Sequence, residues 1–237
     1  MNNTDDPRAN LAFIVAHPDD VAFAMGGTAW LLKDAYRLHI FCASRGERGY
    51  PGAKEFGPSA EVAATRSAEE LAAAALLGAE VTFLGQIDGE IFADRAACTR
   101  VAELLAPLRP RAVFTHDPFD KPDHAATAQM AVQATEMAGL FWETEIYSSV
   151  WPCGGCRRAD LIDLFVNISE VMDAKRALIR CHQSHLHAED DVEKLLAPHA
   201  LLGRLAWSDY AEAYRAYLPL IGRRWQRKAG SILLEFT

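Results

Sequence analysis

Short apolar runs alternate with longer stretches of helical periodicity through the first two thirds of the chain. LAFIVA (11–16), LHIFCAS (38–44), VTFLG (81–85), AVFTH (112–116) and TEIYSSV (144–150) read as buried strands. Between them, 20–34, 59–79, 94–108 and 124–139 read as helices, with Gly78 as a stop signal and Arg109-Pro110 ending the third. Strands that alternate with helices predict an α/β fold, a Rossmann-like parallel sheet with helices on both faces. The last third is less regular. LFVNIS (164–169) is predicted as a strand, 170–184 and 207–218 as helices, and SILLEF (231–236) as a closing strand or a packing arm. There is no internal repeat, low-complexity segment or evident linker, so residues 1–237 are expected to form a single domain.

The 237 residues are half apolar, enough for a sizeable core, and carry a formal net charge of -8. An acidic chain lacks the clustered Lys and Arg that phosphate binding requires, which argues against nucleic acid or an anionic membrane as partner. No run of about 18 apolar residues occurs, so no membrane span is expected. The N-terminus, MNNTDDPRAN, lacks the basic start and apolar centre of a secretory signal, which points to the cytoplasm. The five cysteines, Cys42, Cys98, Cys153, Cys156 and Cys181, suit reduced thiols there. A lone CGGC at 153–156 reads as a turn with incidental thiols.

Two polar clusters stand out. His17-Pro18-Asp19-Asp20 follows the first strand directly, and Asp120-Lys121-Pro122-Asp123-His124 follows the fourth closely. Parallel sheets bind ligands beyond the carboxyl ends of their strands, where strand order reverses. If the first and fourth strands are neighbours, both clusters meet in one crevice. A catalytic zinc takes three protein ligands and leaves a position for water, and His17, Asp20 and His124 supply such a set. The ion would polarise a substrate carbonyl and lower the pKa of its water. Asp19, next to the ligand Asp20, is the candidate general base. The plainer alternative makes Asp19 and Asp20 helix caps and His17 a polar strand end.

The chain also resembles a known family, the LmbE-like or PIG-L deacetylases, which include enzymes of GPI-anchor, mycothiol and bacillithiol biosynthesis. The resemblance rests on AHPDD (16–20) with MGGT (25–28), SRGERG (44–49), RSAEELAAAALLGA (66–79), FLGQIDGE (83–90), PDH (122–124), KRALIRCHQS (175–184) and DYAEAYR (209–215), in order along nearly the whole chain. It implies a Rossmann-like fold, one divalent metal (usually zinc) and hydrolysis of an N-acyl group, mostly from glucosamine conjugates. By position it implies His17, Asp20 and His124 as metal ligands, Asp19 as base, and Glu47, Arg66 and Asp88 as substrate-pocket residues. Arg66 could instead pair with Glu69 or Glu70 on its helix, and Asp88 could be a turn residue before Gly89.

Three departures stand out. Lys121 replaces the first His of the family's His-Pro-Asp-His motif, Val21-Ala22 stand where a Glu is common, and His185 stands where Gln often follows the Ser. Lysine can stabilise an oxyanion by charge but is a poor general acid. His116, at the end of the fourth strand, is the nearest candidate to compensate, followed by the cluster His182, His185 and His187. The reading is a zinc-dependent amide hydrolase that deacylates a small N-acyl substrate, with Asp19, Lys121 and His116 as catalytic candidates and a homo-oligomer possible. The alternatives are a metal- and ligand-binding protein without turnover, and an amidase acting on another C–N bond.

Overall fold

The computed structural model describes residues 8–49, 57–151, 162–217 and 232–233. Seven strands form one sheet: β1 (Asn10–Val15), β2 (Arg37–Cys42), β3 (Glu80–Phe83), β4 (Ala112–His116), β5 (Glu145–Ser149), β6 (Leu164–Asn167) and β7 (Ala211–Tyr217). Their spatial order is β3-β2-β1-β4-β5-β7-β6. The first five are parallel, and β7 runs antiparallel to both β5 and β6. The order reverses between β1 and β4, so the loops after these two strands open on the switch point where such sheets bind ligands.

The described helices are α1 (Gly26–Leu32), α2 (Ala60–Leu77), α3 (Arg95–Leu108), α4 (Pro122–Met137), α5 (Met172–Arg180) and α6 (Asp191–Leu205). The two-residue period of β1 sorts them into layers. Leu11, Phe13 and Val15 share a core with α1, α2, α5 and α6, while Ala12, Ile14 and Ala16 pack against α3 and α4. Aromatic rings cross the sheet on the first face: Phe13 stacks on Phe114 at 4.8 Å and Phe114 on Tyr147 at 5.2 Å, each pair in register on adjacent strands. Such pairs add about 0.5–1.5 kcal/mol each beyond the area they bury. Among the described residues no helix is long and apolar enough to cross a membrane.

The helix expected at 207–218 is a strand. Its Ala-rich composition favours helix, but the residues alternate as a two-sided strand requires. Ala211 and Ala213 pack against Leu202 and Val150, while Tyr214 joins the aromatic core on the other face. The stretch expected as one helix at 20–34 is split into a π turn (Val21–Met25) and α1, and the helix expected at 170–184 ends at Arg180, with a 3-10 turn at Gln183–His185. The helix α6 had no counterpart in the periodicity reading. The CGGC segment lies outside the described residues, as does SILLEF except for the buried turn residues Ile232 and Leu233.

The split after the first strand is held by a buried ion pair. Glu212 of β7 accepts the Gly27 and Thr28 amides at the start of α1, both at 2.8 Å. Lys175 of α5 donates to Glu212 at 2.6 Å and to the Phe23 carbonyl of the π turn at 3.0 Å. His199 of α6 reaches the same carbonyl at 2.8 Å. The orphan amides of one helical segment and the carbonyls of the preceding one are thus satisfied by opposite charges. Both partners are fully buried. Burial pulls the Lys175 pKa down against the pull of Glu212, and Lys175 with His199 holds Glu212 below its usual value despite burial. Gly27 is required by packing, because a Cβ there would sit 2.6 Å from Ile168 Cγ2.

Removing one member leaves a buried charge uncompensated. Lys175→Met or Glu212→Gln should each lower stability by about 3–5 kcal/mol in urea unfolding. A loss below about 1 kcal/mol in both would show that the pair does not hold the π turn to α1.

Candidate metal centre

The chain leaves β1 through Ala16 and His17 and turns sharply at Pro18–Asp20. Asp19 has φ 104°, a conformation that costs an L-residue about 1–3 kcal/mol and persists only where its surroundings impose it. Several contacts impose it. The Asp19 amide donates to Glu70 Oε2 at 3.0 Å, and the His17 amide to Asp20 Oδ2 at 2.7 Å. Arg66 Nη2 donates to the Pro18 carbonyl at 2.8 Å and to Asp19 Oδ2 at 2.6 Å. Arg66 reaches them by crossing the SRGERG loop, and a Cβ on Gly49 would overlap its Nη1 at 1.5 Å.

The parallel pairing of β1 with β4 brings the second cluster alongside. His124 lies in the first turn of α4, which opens on Pro122. His17, Asp20 and His124 have ligand atoms within 4.8 Å of one another, and all three are buried. Each imidazole is held on one nitrogen by carboxylates. His17 Nε2 lies 3.1 Å from Asp88 Oδ1 and 3.2 Å from Asp123 Oδ2. His124 Nδ1 lies 2.9 Å from Asp120 Oδ2. The other nitrogen of His124, Nε2, is buried, makes no hydrogen bond and faces Asp20 Oδ1 at 3.2 Å. A buried imidazole nitrogen without a partner, backed by a carboxylate on its far side and facing another, fits a divalent cation.

The charges follow the same logic. Burial opposes ionisation of His17, but hydrogen bonds to Asp123, Asp20 and Asp88 raise its pKa well above the ordinary imidazole value. His124 is raised too, by Asp20 and Asp120 against burial. Burial pushes the Asp20 pKa up, yet the adjacent His124 holds it well below the usual carboxylate range. Asp19 is likewise held low by Arg66 and then His185, against burial. Glu70 is the exception: burial, reinforced by Asp19 and Asp20, pushes it up to about 8, so it is protonated at neutral pH.

The remaining expected residues divide. Asp88 backs His17 and also accepts the Arg48 amide at 3.1 Å. Glu47 accepts the Arg45 amide at 3.0 Å, tying its own loop. Arg66 is 4% exposed, and its ion pair is with Asp19, not with Glu69 or Glu70 of its own helix. Lys121 is exposed beside the site. His116 stacks on His124 at 3.8 Å. Its Nε2 accepts the Ala16 amide at 3.0 Å, and burial with the neighbouring His124 charge pulls its pKa to about 4. His116 is therefore neutral and packed against His124, with Nε2 3.1 Å from Asp20 Oδ2. Of the late histidines, only His185 reaches Asp19, with Nδ1 3.0 Å from Oδ2. The backing roles of Asp120 and Asp123 and the Glu70 contact escaped the sequence reading, although the four-residue spacing of Asp120 and His124 across the start of a helix was a usable signal.

The profile described as GlcNAc-PI de-N-acetylase, PIG-L, matches residues 12–135, which span β1 to α4 and both clusters. The chain belongs to the PIG-L family. Its relatives differ in chemistry. It is 28% identical over 206 residues to a 4-oxalmesaconate hydratase of Pseudomonas putida, covering 79% of this chain and 78% of that one. It is 27% identical over 219 residues to a diacetylchitobiose deacetylase of Thermococcus kodakarensis, covering 85% and 80%. In fold it is similar to the N,N'-diacetylchitobiose deacetylase of Pyrococcus horikoshii, with a TM-score of 0.76 at 23% identity over 98% of this chain and 90% of that one.

Because neighbouring carboxylates raise His17 and His124 above the ordinary imidazole value, protons are held there that an entering ion must displace. Divalent-metal affinity should therefore rise with pH as these protons are lost, with proton release visible by calorimetry in buffers of different ionisation enthalpy. Asp120→Asn should weaken that affinity about 10–100-fold while leaving the fold intact. A flat pH dependence together with unchanged affinity in Asp120→Asn would remove the assignment.

Proposed function

We propose that this PIG-L chain is a metal-dependent hydrolase that removes an N-acetyl group from a small amide, of the amino-sugar class that its deacetylase relatives are named for. The observation that carries this is the buried, unpartnered Nε2 of His124 facing Asp20, with His17 completing a two-imidazole, one-carboxylate set. These three residues would hold the ion. We take it to be zinc, and we take the cytoplasm as its compartment. When bound, it supplies Lewis acidity, polarising a carbonyl and bringing a water's pKa towards neutrality.

The protein's own groups do the rest. Asp19 is held ionised by Arg66, and among the described residues its side-chain partners meet Oδ2. Oδ1 therefore takes the proton of the attacking water as oxygen adds to the amide carbonyl. The same carboxyl then returns that proton to the departing nitrogen, giving acetate and a free amine. The exposed ammonium of Lys121 supplies positive charge for the oxygen that becomes negative on addition. Lysine in place of imidazole makes Asp19 the sole proton carrier at this step.

A second reading is favoured by one relative, named as a hydratase. The same base and the same activated water could add across a polarised carbon–carbon double bond. The two readings separate on a panel of N-acetylglucosamine, N,N'-diacetylchitobiose and unsaturated oxo-dicarboxylates, with zinc supplied. Amine release from the sugars supports the deacetylase. Hydration of the dicarboxylates alone would replace it, and a metal-loaded protein inert to both would be a binding protein. Asp19→Asn should lose about 100-fold or more in kcat while keeping its metal. Normal turnover in that variant would remove Asp19 as base.

A further inference from the structure

The 3-10 turn Gln183–His185 lies against α2 and brings the His185 ring to Asp19. It is fastened there by Glu69 of α2, whose carboxylate accepts the Ser184 amide at 2.7 Å and the Ser184 hydroxyl at 2.6 Å. The His185 amide donates to the His182 carbonyl at 3.1 Å. The His185 ring stands edge-on to Phe23 of the π turn, with centroids 5.4 Å apart and planes at 79°. Its ring position is thus set from the backbone and from one face, although 42% of the side chain stays exposed. Nδ1 lies 3.0 Å from Asp19 Oδ2, the oxygen that Arg66 Nη2 also binds. An ionised carboxylate only accepts, so Nδ1 carries the proton and donates. With Arg66 Nη2 donating to Oδ2 and the His185 ring 3.0 Å from it, the carboxylate's side-chain partners among the described residues converge on Oδ2.

We propose that His185 is a positioning residue for the reaction: its Nδ1–H, with Arg66, clamps Oδ2 of Asp19 so that Oδ1 is the oxygen that takes the proton from water. The inference rests on Asp19 being the base. The groups around this contact are Arg66, protonated Glu70, buried His182 and Glu69. His182 stops short of the carboxylate that His185 reaches, with its Nε2 3.8 Å from Glu70 Oε2. Arg66 anchors the turn as well as the carboxylate, whereas among the described residues the His185 ring meets the carboxylate and the Phe23 ring, so its loss affects the base without dismantling the turn. An amide side chain offers an equivalent N–H donor, so glutamine can replace histidine in this role and phenylalanine cannot.

The test is steady-state kinetics of zinc-loaded wild type, His185→Gln, His185→Phe, Asp19→Asn and the Asp19→Asn/His185→Phe double variant, using the fastest substrate of the panel above. Metal content and thermal midpoint are measured beside each. Phenylalanine keeps the ring on Phe23 and removes only the donor. The expected result is kcat about 10–100-fold lower in His185→Phe, the scale of one hydrogen bond to a charged group. KM and zinc content should be little changed, kcat should be largely restored in His185→Gln, and the double variant should be no slower than Asp19→Asn. Wild-type kcat in His185→Phe, equal losses in the Gln and Phe variants, or additive losses in the double variant would each overturn the clamp and leave the functional reading standing. A wild-type protein inert to the whole panel would overturn the functional reading, and the clamp with it.

Discussion

The site depends on the backbone at Asp19 being bent where an L-residue does not rest. At φ 104° the turn sends Asp19 and Asp20, adjacent in sequence, in different directions. Asp20 turns towards His124 and His17, and Asp19 towards Arg66 and His185. Neither direction is available from a regular strand-to-helix junction. The strain is offset by a protonated carboxyl and a guanidinium, both from α2, and by the neighbouring His17 amide. Arg66 is therefore as much part of the turn as the residues it contains, and the glycine at 49 exists to let it in.

Carboxylates backing imidazoles are the second organising feature. His17 and His124 each meet an acidic side chain on the nitrogen turned from the centre, which fixes their orientation and raises their basicity. His116 differs: its Nε2 lies 3.1 Å from Asp20 Oδ2 and accepts the Ala16 amide, burial keeps the ring neutral, and it stacks on His124. Where resemblance leads one to look for a Glu after the acidic pair, Val21 and Ala22 are buried in the core. The carboxyl beside this turn comes from Glu70 on another helix.

The five parallel strands and the ligand set were legible because both leave local marks: apolar runs of strand length, and His, Asp and Pro directly after them. The geometry around the set was not. Nothing local to Arg66 says that it reaches back to a turn 48 residues earlier, and nothing local to Asp88 tells a sugar contact from a partner of His17. β7 was misread because alanine marks helices wherever packing does not decide, and here packing on both faces decides. The helix α6 went unread amid mixed polar residues, with Pro198 inside it.

The tie between Glu212 and the start of α1 spans 185 residues. Loop closure on that scale is entropically costly and slow, and during synthesis the chain emerges at about 5–20 residues per second. For about 10–40 seconds after the first strand leaves the ribosome, the helical segments behind the His17–Asp20 turn lack the charges that cap them. The last third of the chain, the least regular to read, is therefore the part whose arrival completes the segment from Ala22 to Thr28. A nascent chain ended before Lys175 holds every candidate ligand, and Arg66 and Glu70 with them, yet lacks the charges that satisfy the helical segments behind the His17–Asp20 turn.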